Sequence, residues 1–226
     1  MKLLLLGAGR TGSLVADVAR ERHHEVTILR AADNPGGAAL TADALRDMDV
    51  AIDFTTPHAV LDNITACLSA GRPMVVGTTG WYEGIPAVQA LAEKTNTGFL
   101  FGANFSIGIN LFLEIARVGA AALEHGYTGQ IFERHHVRKK DAPSGTAIAI
   151  RNGIREVGGR ELEITSFREG DVVGMHEVVL DSTHDTIYLC HDAKSRRGFA
   201  EGAVRAAEWI ADKKGFYDFK DIWREV

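Results

Sequence analysis

The run Lys2-Leu3-Leu4-Leu5-Leu6-Gly7-Ala8-Gly9-Arg10-Thr11-Gly12-Ser13-Leu14-Val15 decides how the chain is read. A short continuous apolar run that stops at glycine suits a strand buried on both faces. From Ser13 to Arg22, Leu14, Val15, Val18 and Ala19 recur at helical spacing. Between strand and helix lies Gly-x-Gly-x-x-Gly, in the setting that gives the motif a physical meaning. Gly7 permits the tight turn, Gly9 lets the backbone approach a pyrophosphate, and Gly12 allows close helix–strand packing. A helix start also offers unpaired N–H groups and a partial positive charge to phosphates. Gly7, Gly9, Arg10, Thr11 and Gly12 are therefore the expected dinucleotide cradle.

Outward from that motif, short apolar runs alternate with helical patterns. Strands are expected at Glu25 to Leu29, Val50 to Phe54, Pro73 to Val76 and Phe99 to Phe101. Helices are expected around Ala42 to Arg46, His58 to Ala70 and Ala87 to Lys94. This alternation predicts a parallel sheet covered on both faces. Asp33 lies 21 residues beyond Gly12 and is the candidate for the adenosine ribose. Arg30 either meets a 2′-phosphate or is a solvated strand-end charge, so NADH and NADPH both stay open. Three further strand ends, Asp53-Phe54-Thr55-Thr56-Pro57, Gly77-Thr78-Thr79-Gly80 and Ala103-Asn104-Phe105-Ser106, fall where ligands bind in open α/β sheets.

The pattern changes near Asn104. A long apolar helix over Gly108 to Leu123 precedes strand-like runs at Gln130 to Val137, Glu163 to Arg168, Gly174 to Leu180 and Thr186 to Cys190. One helix, from about Thr146 to Val157, lies among them. Few crossover helices imply a mixed or antiparallel sheet and a second domain. A helix over Phe199 to Ala211 is expected to pack back onto the first domain. The expected architecture is α/β: residues 1–104, completed by 197–226, form a Rossmann-like nucleotide domain. Residues 105–196 form an α+β substrate-binding and catalytic domain, closing about hinges at Asn104 to Ser106 and Lys194 to Arg197.

The densest chemistry is Glu133-Arg134-His135-His136-Val137-Arg138-Lys139-Lys140-Asp141-Ala142-Pro143-Ser144-Gly145-Thr146-Ala147. Neighbouring side chains on a strand point to opposite faces, so both histidines reach one pocket only if the strand ends or bulges there. Ser144, Gly145 and Thr146 can present hydroxyls and amides to a carboxylate, or Ser144 is a plain N-cap. Lys139 can neutralise that charge or donate a proton, and a histidine titrates in the useful range. Core or surface histidines are the competing reading, and Arg138 and Lys140 read as a solvated face.

Composition narrows the classes. The 226 residues are 46% hydrophobic and 24% charged, ordinary for a globular protein. Lys+Arg 25 against Asp+Glu 30 gives a net charge of -5, which leaves no global basic surface for nucleic acid. No apolar run approaches the roughly 20 residues needed to cross a bilayer. The apolar start of the chain stops at Gly7, too early for a signal peptide. Cys67 and Cys190 form no metal-type spacing, so a reduced cytoplasmic compartment is expected. Adjacent pairs His23-His24 and His135-His136 do not make a hydrolytic metal motif, and no metal is expected.

Glu-x-His-His-x-x-Lys-x-Asp-Ala-Pro-Ser-Gly-Thr-Ala, spanning Glu133 to Ala147, resembles the signature of the dihydrodipicolinate reductase family. Asp53-Phe54-Thr55, Gly77-Thr78-Thr79-Gly80, Ala103-Asn104-Phe105-Ser106, Arg168-Glu169-Gly170 with Gly174 and His176, and Ser195-Arg196 through Gly202-Ala203-Val204 follow in the family's order. The resemblance implies an NADH- or NADPH-dependent reductase of a small cyclic imine dicarboxylate in lysine and diaminopimelate biosynthesis, usually a homotetramer. It implies His135 as general acid and Lys139 as second proton donor. His136, Lys139, Ser144, Gly145 and Thr146 resemble the residues that hold the substrate carboxylates. Phe54 belongs to a family landmark, while Gly77, Thr79, Ala103 and Phe105 resemble the nicotinamide shell. The glycine loop is one residue tighter than the family's usual GxxGxxG, and Ala31 to Asp49 and Asn152 to Ser166 are compact. A dehydrogenase of another small amino-acid-derived acid is the alternative within enzymes, and a catalytically silent dinucleotide sensor the alternative outside them. No tyrosine is followed four residues later by lysine, which disfavours a short-chain reductase.

Overall fold

The structure, a computed structural model, describes residues 1–226. It divides into two compact units, 1–107 with 197–226, and 108–196.

The first unit is a six-stranded sheet, every pairing parallel. In chain order it holds β1 (Lys2–Leu6), α1 (Arg10–Glu21), β2 (Glu25–Leu29), α2 (Ala42–Leu45), β3 (Val50–Asp53), α3 (Val60–Ser69), β4 (Met74–Val76), α4 (Ile85–Thr95) and β5 (Gly98–Phe101). The strand order is β10-β5-β4-β3-β1-β2, where β10 (Gly215–Asp218) is contributed by the end of the chain. β1 therefore sits between β2 and β3, the point where the order reverses and a crevice opens at the carboxyl ends.

The apolar strands are explained by two cores. Leu3, Leu5, Val50, Ile52, Val75 and Leu100 face a layer that includes Val15, Val18 and Ala19. Leu4, Leu6, Ala51, Met74, Val76 and Phe99 face the opposite layer, with Ile64, Cys67, Leu68, Val88 and Ala92. Residues of either parity are buried, which is why these strands read as unbroken hydrophobic runs. Helix α7 (Arg197–Ile210) returns to this unit and brings Ala200, Ala203, Val204, Ala207 and Ile210 into the first core.

The second unit is a four-stranded mixed sheet of order β7-β6-β8-β9. Its elements are α5 (Ile107–Gly119, whose first residue lies in the other unit), β6 (Thr128–His135), α6 (Gly145–Gly158), β7 (Glu163–Arg168), β8 (Met175–Asp181) and β9 (Thr186–Asp192). β6 and β7 pair in parallel, while β6–β8 and β8–β9 are antiparallel. One face is the core, where Ile131, Val178 and Leu180 meet Phe112, Ile150 and Ile154.

Two expectations change in detail. The apolar period over Gly108 to Leu123 is a helix only to Gly119; it tightens to 3-10 geometry over Ala120–His125 and ends at Gly126 in the left-handed region. The sequence pattern marks no strand beyond the last long helix, yet Gly215–Asp218 pairs with β5, and α8 (Phe219–Ile222) follows it. No helix is long and apolar enough to cross a membrane.

Candidate active site

The nucleotide-binding candidates lie at the carboxyl end of the first unit's sheet. Gly7 has φ +92, and a Cβ there would fall 2.4 Å from the Phe54 carbonyl oxygen. A Cβ on Gly12 would fall 2.2 Å from the Gly7 carbonyl oxygen. Both are forced by close approach of backbone to backbone. Gly9 is different, since nothing lies within 4 Å of a Cβ built on it. It also serves as the α1 N-cap without any side-chain cap. The first-turn amides of α1 thus open onto the cleft that Gly9 lines, the arrangement a pyrophosphate needs.

A cleft of about 300 Å³ is lined by Gly9, Arg10, Thr11 and Gly12 together with Phe54, Gly77 and Thr79. Seven of the expected cofactor residues meet there. The Phe54 ring lies over Gly77, where a Cβ would fall 2.2 Å from it. Arg30 and Asp33 do not line this cleft: Arg30 follows β2, and the Asp33 amide donates to its carbonyl at 3.0 Å. Ala103 is exposed. Phe105 is a core residue, with its ring 4.7 Å from Phe219 and its carbonyl pressed toward Gly202.

Asp53 organises these loops, a role that the sequence alone did not assign. Its buried carboxylate accepts from the Thr55 amide at 2.9 Å and from the Thr55 and Thr78 hydroxyls at 2.8 and 2.7 Å. Its second oxygen accepts from Asn63 at 2.7 Å, and Asn63 accepts from Asn34 at 2.9 Å. The loops after β2, β3 and β4 are joined through this one carboxylate.

In the second unit, β6 ends at His135, so the strand terminates where the two adjacent histidines required it to. Ile131, Glu133 and His135 alternate onto the inner face and are buried. His136 falls in the following turn, its carbonyl accepting from the Lys139 amide at 3.0 Å. Glu133 is fully buried and holds three groups. His135 Nδ1 lies 2.5 Å from Oε2, Arg168 donates to Oε1 at 2.9 Å, and the Ser144 amide donates to Oε1 at 3.3 Å. Burial pushes this carboxyl up, but hydrogen bonds from Ser166, Arg168 and Ser144 and the His135 charge outweigh it and hold it low.

A carboxylate at Nδ1 keeps a proton on that nitrogen and leaves Nε2 as the working atom. Gly174 borders that nitrogen, since its Cβ would fall 3.0 Å from Nε2. His135 titrates below the usual histidine range because burial, with Lys139 and Arg168, outweighs Glu133. Lys139 places Nζ 2.8 Å from both Asp141 oxygens and depresses that carboxyl. Ser144 is the N-cap of α6, its Oγ accepting from the Ala147 amide at 3.2 Å and lying 3.2 Å from His176 Nε2. Gly145 opens the helix on an empty side, with nothing within 4 Å of a Cβ.

Sequence reasoning named His135, Lys139 and the Ser-Gly-Thr turn, and the second unit does bring them together around Glu133. It gave no role to Glu133, Arg168 or His176. The available signal was a period of two: charged and imidazole side chains at 133, 135 and 176 fall in phase with the core residues Ile131, Val178 and Leu180.

A Rossmann-type unit joined to a mixed-sheet unit with a buried Glu–His pair defines a two-part, nucleotide-dependent oxidoreductase. The chain belongs to the dihydrodipicolinate reductase family: the family's N-terminal part matches residues 1–105 and its C-terminal part residues 108–223. The 4-hydroxy-tetrahydrodipicolinate reductase of Christiangramia forsetii is 36% identical over 240 residues, covering 100% of this chain and 99% of that protein. The protein of the same name from Natronomonas pharaonis is 36% identical over 247 residues, covering 98% and 99%. A dipicolinate-bound dihydrodipicolinate reductase from Paenisporosarcina sp. TG-14 shares the fold, with a TM-score of 0.80 at 24% identity over 98% of this chain and 99% of that one.

Proposed function

We propose that this protein reduces 4-hydroxy-tetrahydrodipicolinate to tetrahydrodipicolinate with NADH or NADPH, the ring hydroxyl leaving as water while one hydride and one proton are added, a step of lysine and diaminopimelate biosynthesis in the cytoplasm. The observation that carries the reading is the buried Glu133–His135 pair, set with Lys139 beside the open start of α6. That cluster suits a substrate that is both dianionic and a proton acceptor.

The glycine turn fits a dinucleotide because Gly9 and the uncapped start of α1 leave room and donors for phosphates. Gly7, Gly9, Arg10, Thr11 and Gly12 would hold the pyrophosphate, and Arg30 and Asp33 the adenosine ribose. Phe54, Gly77, Thr79 and Ala103 would surround the nicotinamide, with Phe105 supporting Phe54 from 6.2 Å. When bound, the reduced nicotinamide supplies a hydride.

The chain's own residues handle charge and protons. His136, Lys139, Ser144, Gly145 and Thr146 hold the two carboxylates, and Lys139 exchanges part of its contact with Asp141 for the ligand. The free enzyme keeps His135 neutral, but a bound dianion offsets Lys139 and Arg168 and favours proton uptake at Nε2. His135 then delivers that proton to the ring as it gains electron density, while Glu133 stabilises the imidazolium at Nδ1. Lys139 is the second donor.

Assembly into a homotetramer belongs to the same proposal. It is supported by the outer face of the mixed sheet, where Phe132, Phe167, Val179 and Tyr188 line one surface and Tyr188 is 72% exposed. Sedimentation velocity measures it directly, and Tyr188→Asp should shift the protein to smaller species.

The activity is tested by following NADH and NADPH oxidation in parallel, with substrate made in situ from aspartate semialdehyde and pyruvate by the partner synthase. Synthase-dependent oxidation is expected, and the ratio of the two kcat/KM values reports on Arg30 and Asp33. Nucleotide binding without oxidation would refute the reading and favour a sensor.

A further inference from the structure

We infer that His176 is a positioning residue that turns the Ser144 hydroxyl into a dedicated hydrogen-bond donor toward the substrate carboxylate. The inference rests on the proposal that Ser144 faces that carboxylate, and it assigns how the serine is made to do so.

The pair's hydrogens can be counted. Ser144 and His176 are both almost completely buried, at 2% and 3% exposure. His176 Nε2 lies 3.2 Å from Ser144 Oγ, whereas its buried Nδ1 has no hydrogen-bond partner. Burial, helped by His135, pushes the ring down to about 4, so it is neutral at physiological pH and carries one N–H. Placing that hydrogen on Nδ1 would bury a donor with no acceptor. Placing it on Nε2 leaves only a lone pair unused, the cheaper of the two. His176 therefore donates from Nε2 to Ser144 Oγ.

Ser144 Oγ already accepts the Ala147 amide as the cap of α6. With both lone pairs engaged, the serine cannot accept a further hydrogen bond, and its own hydrogen must go to an anion: Glu133 in the free protein, the substrate carboxylate once it is bound. A capping serine without this histidine could turn its hydroxyl several ways. Here its donor role is fixed before the ligand arrives, which lowers the ordering cost of binding an anion. The sheet supplies the geometry: β8 pairs His176 opposite Glu133, so the imidazole and the carboxylate that holds Ser144's amide sit on neighbouring strands.

Two measurements test this. In the intact protein, nitrogen-15 histidine spectra should show His176 as the neutral Nε2–H tautomer at pH 7. The Nδ1–H tautomer, or a protonated ring, would overturn the assignment without any substitution. In steady state, His176→Phe should raise the substrate KM about tenfold, the scale of one misdirected hydrogen bond to a charge, with kcat within about twofold. His176→Gln keeps an N–H donor and should restore most of the affinity. Ser144→Ala should raise KM by itself, and adding His176→Phe to it should do nothing more. A full additive loss in the double variant sinks the positioning role while leaving Ser144 as a ligand. An unchanged KM in Ser144→Ala sinks the underlying substrate-site reading instead.

Discussion

Lowering the pH from 7 to 5 should weaken this protein more than its His176→Gln variant, by an amount the structure fixes. His176 is held neutral down to about 4, against 6.5 for an ordinary histidine. Between those values the unfolded chain carries a proton at position 176 and the folded chain does not. Stability is therefore fully present above pH 6.5 and falls as the pH drops, until the loss is complete below about 4. At about 1.4 kcal/mol per pH unit, the whole window is worth about 3 kcal/mol. About 2 kcal/mol of that should be lost between pH 7 and pH 5. His135 and His191 are also held low by burial and act in the same direction, so the difference between wild type and variant isolates position 176. Glutamine keeps a donor toward Ser144 and does not titrate. Urea unfolding of both proteins at pH 7, 6 and 5 makes the comparison. Parallel pH profiles would show that His176 is not buried as a neutral ring, and the tautomer argument would fall with it.

Other expectations are independent of that ring. Glu133→Gln strands the Arg168 charge and removes the anion from His135 Nδ1; a stability loss of about 3 kcal/mol and a kcat at least about a hundredfold lower should follow. Calorimetric nucleotide affinity should stay within about twofold, because Glu133 lies in the other unit. Gly145→Ala adds a methyl into open volume. Its thermal midpoint should be unchanged, while substrate KM rises about tenfold if a carboxylate seats against the start of α6. Asp53→Asn sets an NH2 group among donors from Thr55, Thr78 and Asn63, and should cost about 2 kcal/mol of stability and weaken nucleotide binding, read by denaturant and fluorescence titration.

Most of the fold is legible along the chain because β1, β3, β4 and β5 are buried on both faces and the first unit's helices on one. Periods of zero and 3.6 report those environments directly. β10 is a different case. Gly215-Phe216-Tyr217-Asp218 is a half-buried edge strand of four residues next to charged Lys213 and Lys214, and only pairing with β5 makes it a strand. The apolar period overextends the long helix, because it runs on through Ala120 and Leu123, both core residues, after the backbone has tightened.

In the candidate site, residues bearing recognisable chemistry were legible and those supporting them were not. His135 and Lys139 stand out by type. Glu133 acts through complete burial and three simultaneous contacts, which depend on Arg168 and Ser144 arriving from elsewhere in the chain. Asp53 likewise reads as a strand end, and becomes an organising group only once the loops after β2 and β4 fold around it.

The central claim is that hydride passes from a nicotinamide to the substrate ring. Supplying NADH or NADPH deuterated at the transferable position, with synthase-generated substrate, and weighing the product by mass spectrometry tests it most directly. Tetrahydrodipicolinate heavier by one mass unit, formed in step with nucleotide oxidation, is the predicted result. Nucleotide oxidised without deuterium in the ring, or no oxidation at all, would contradict the account.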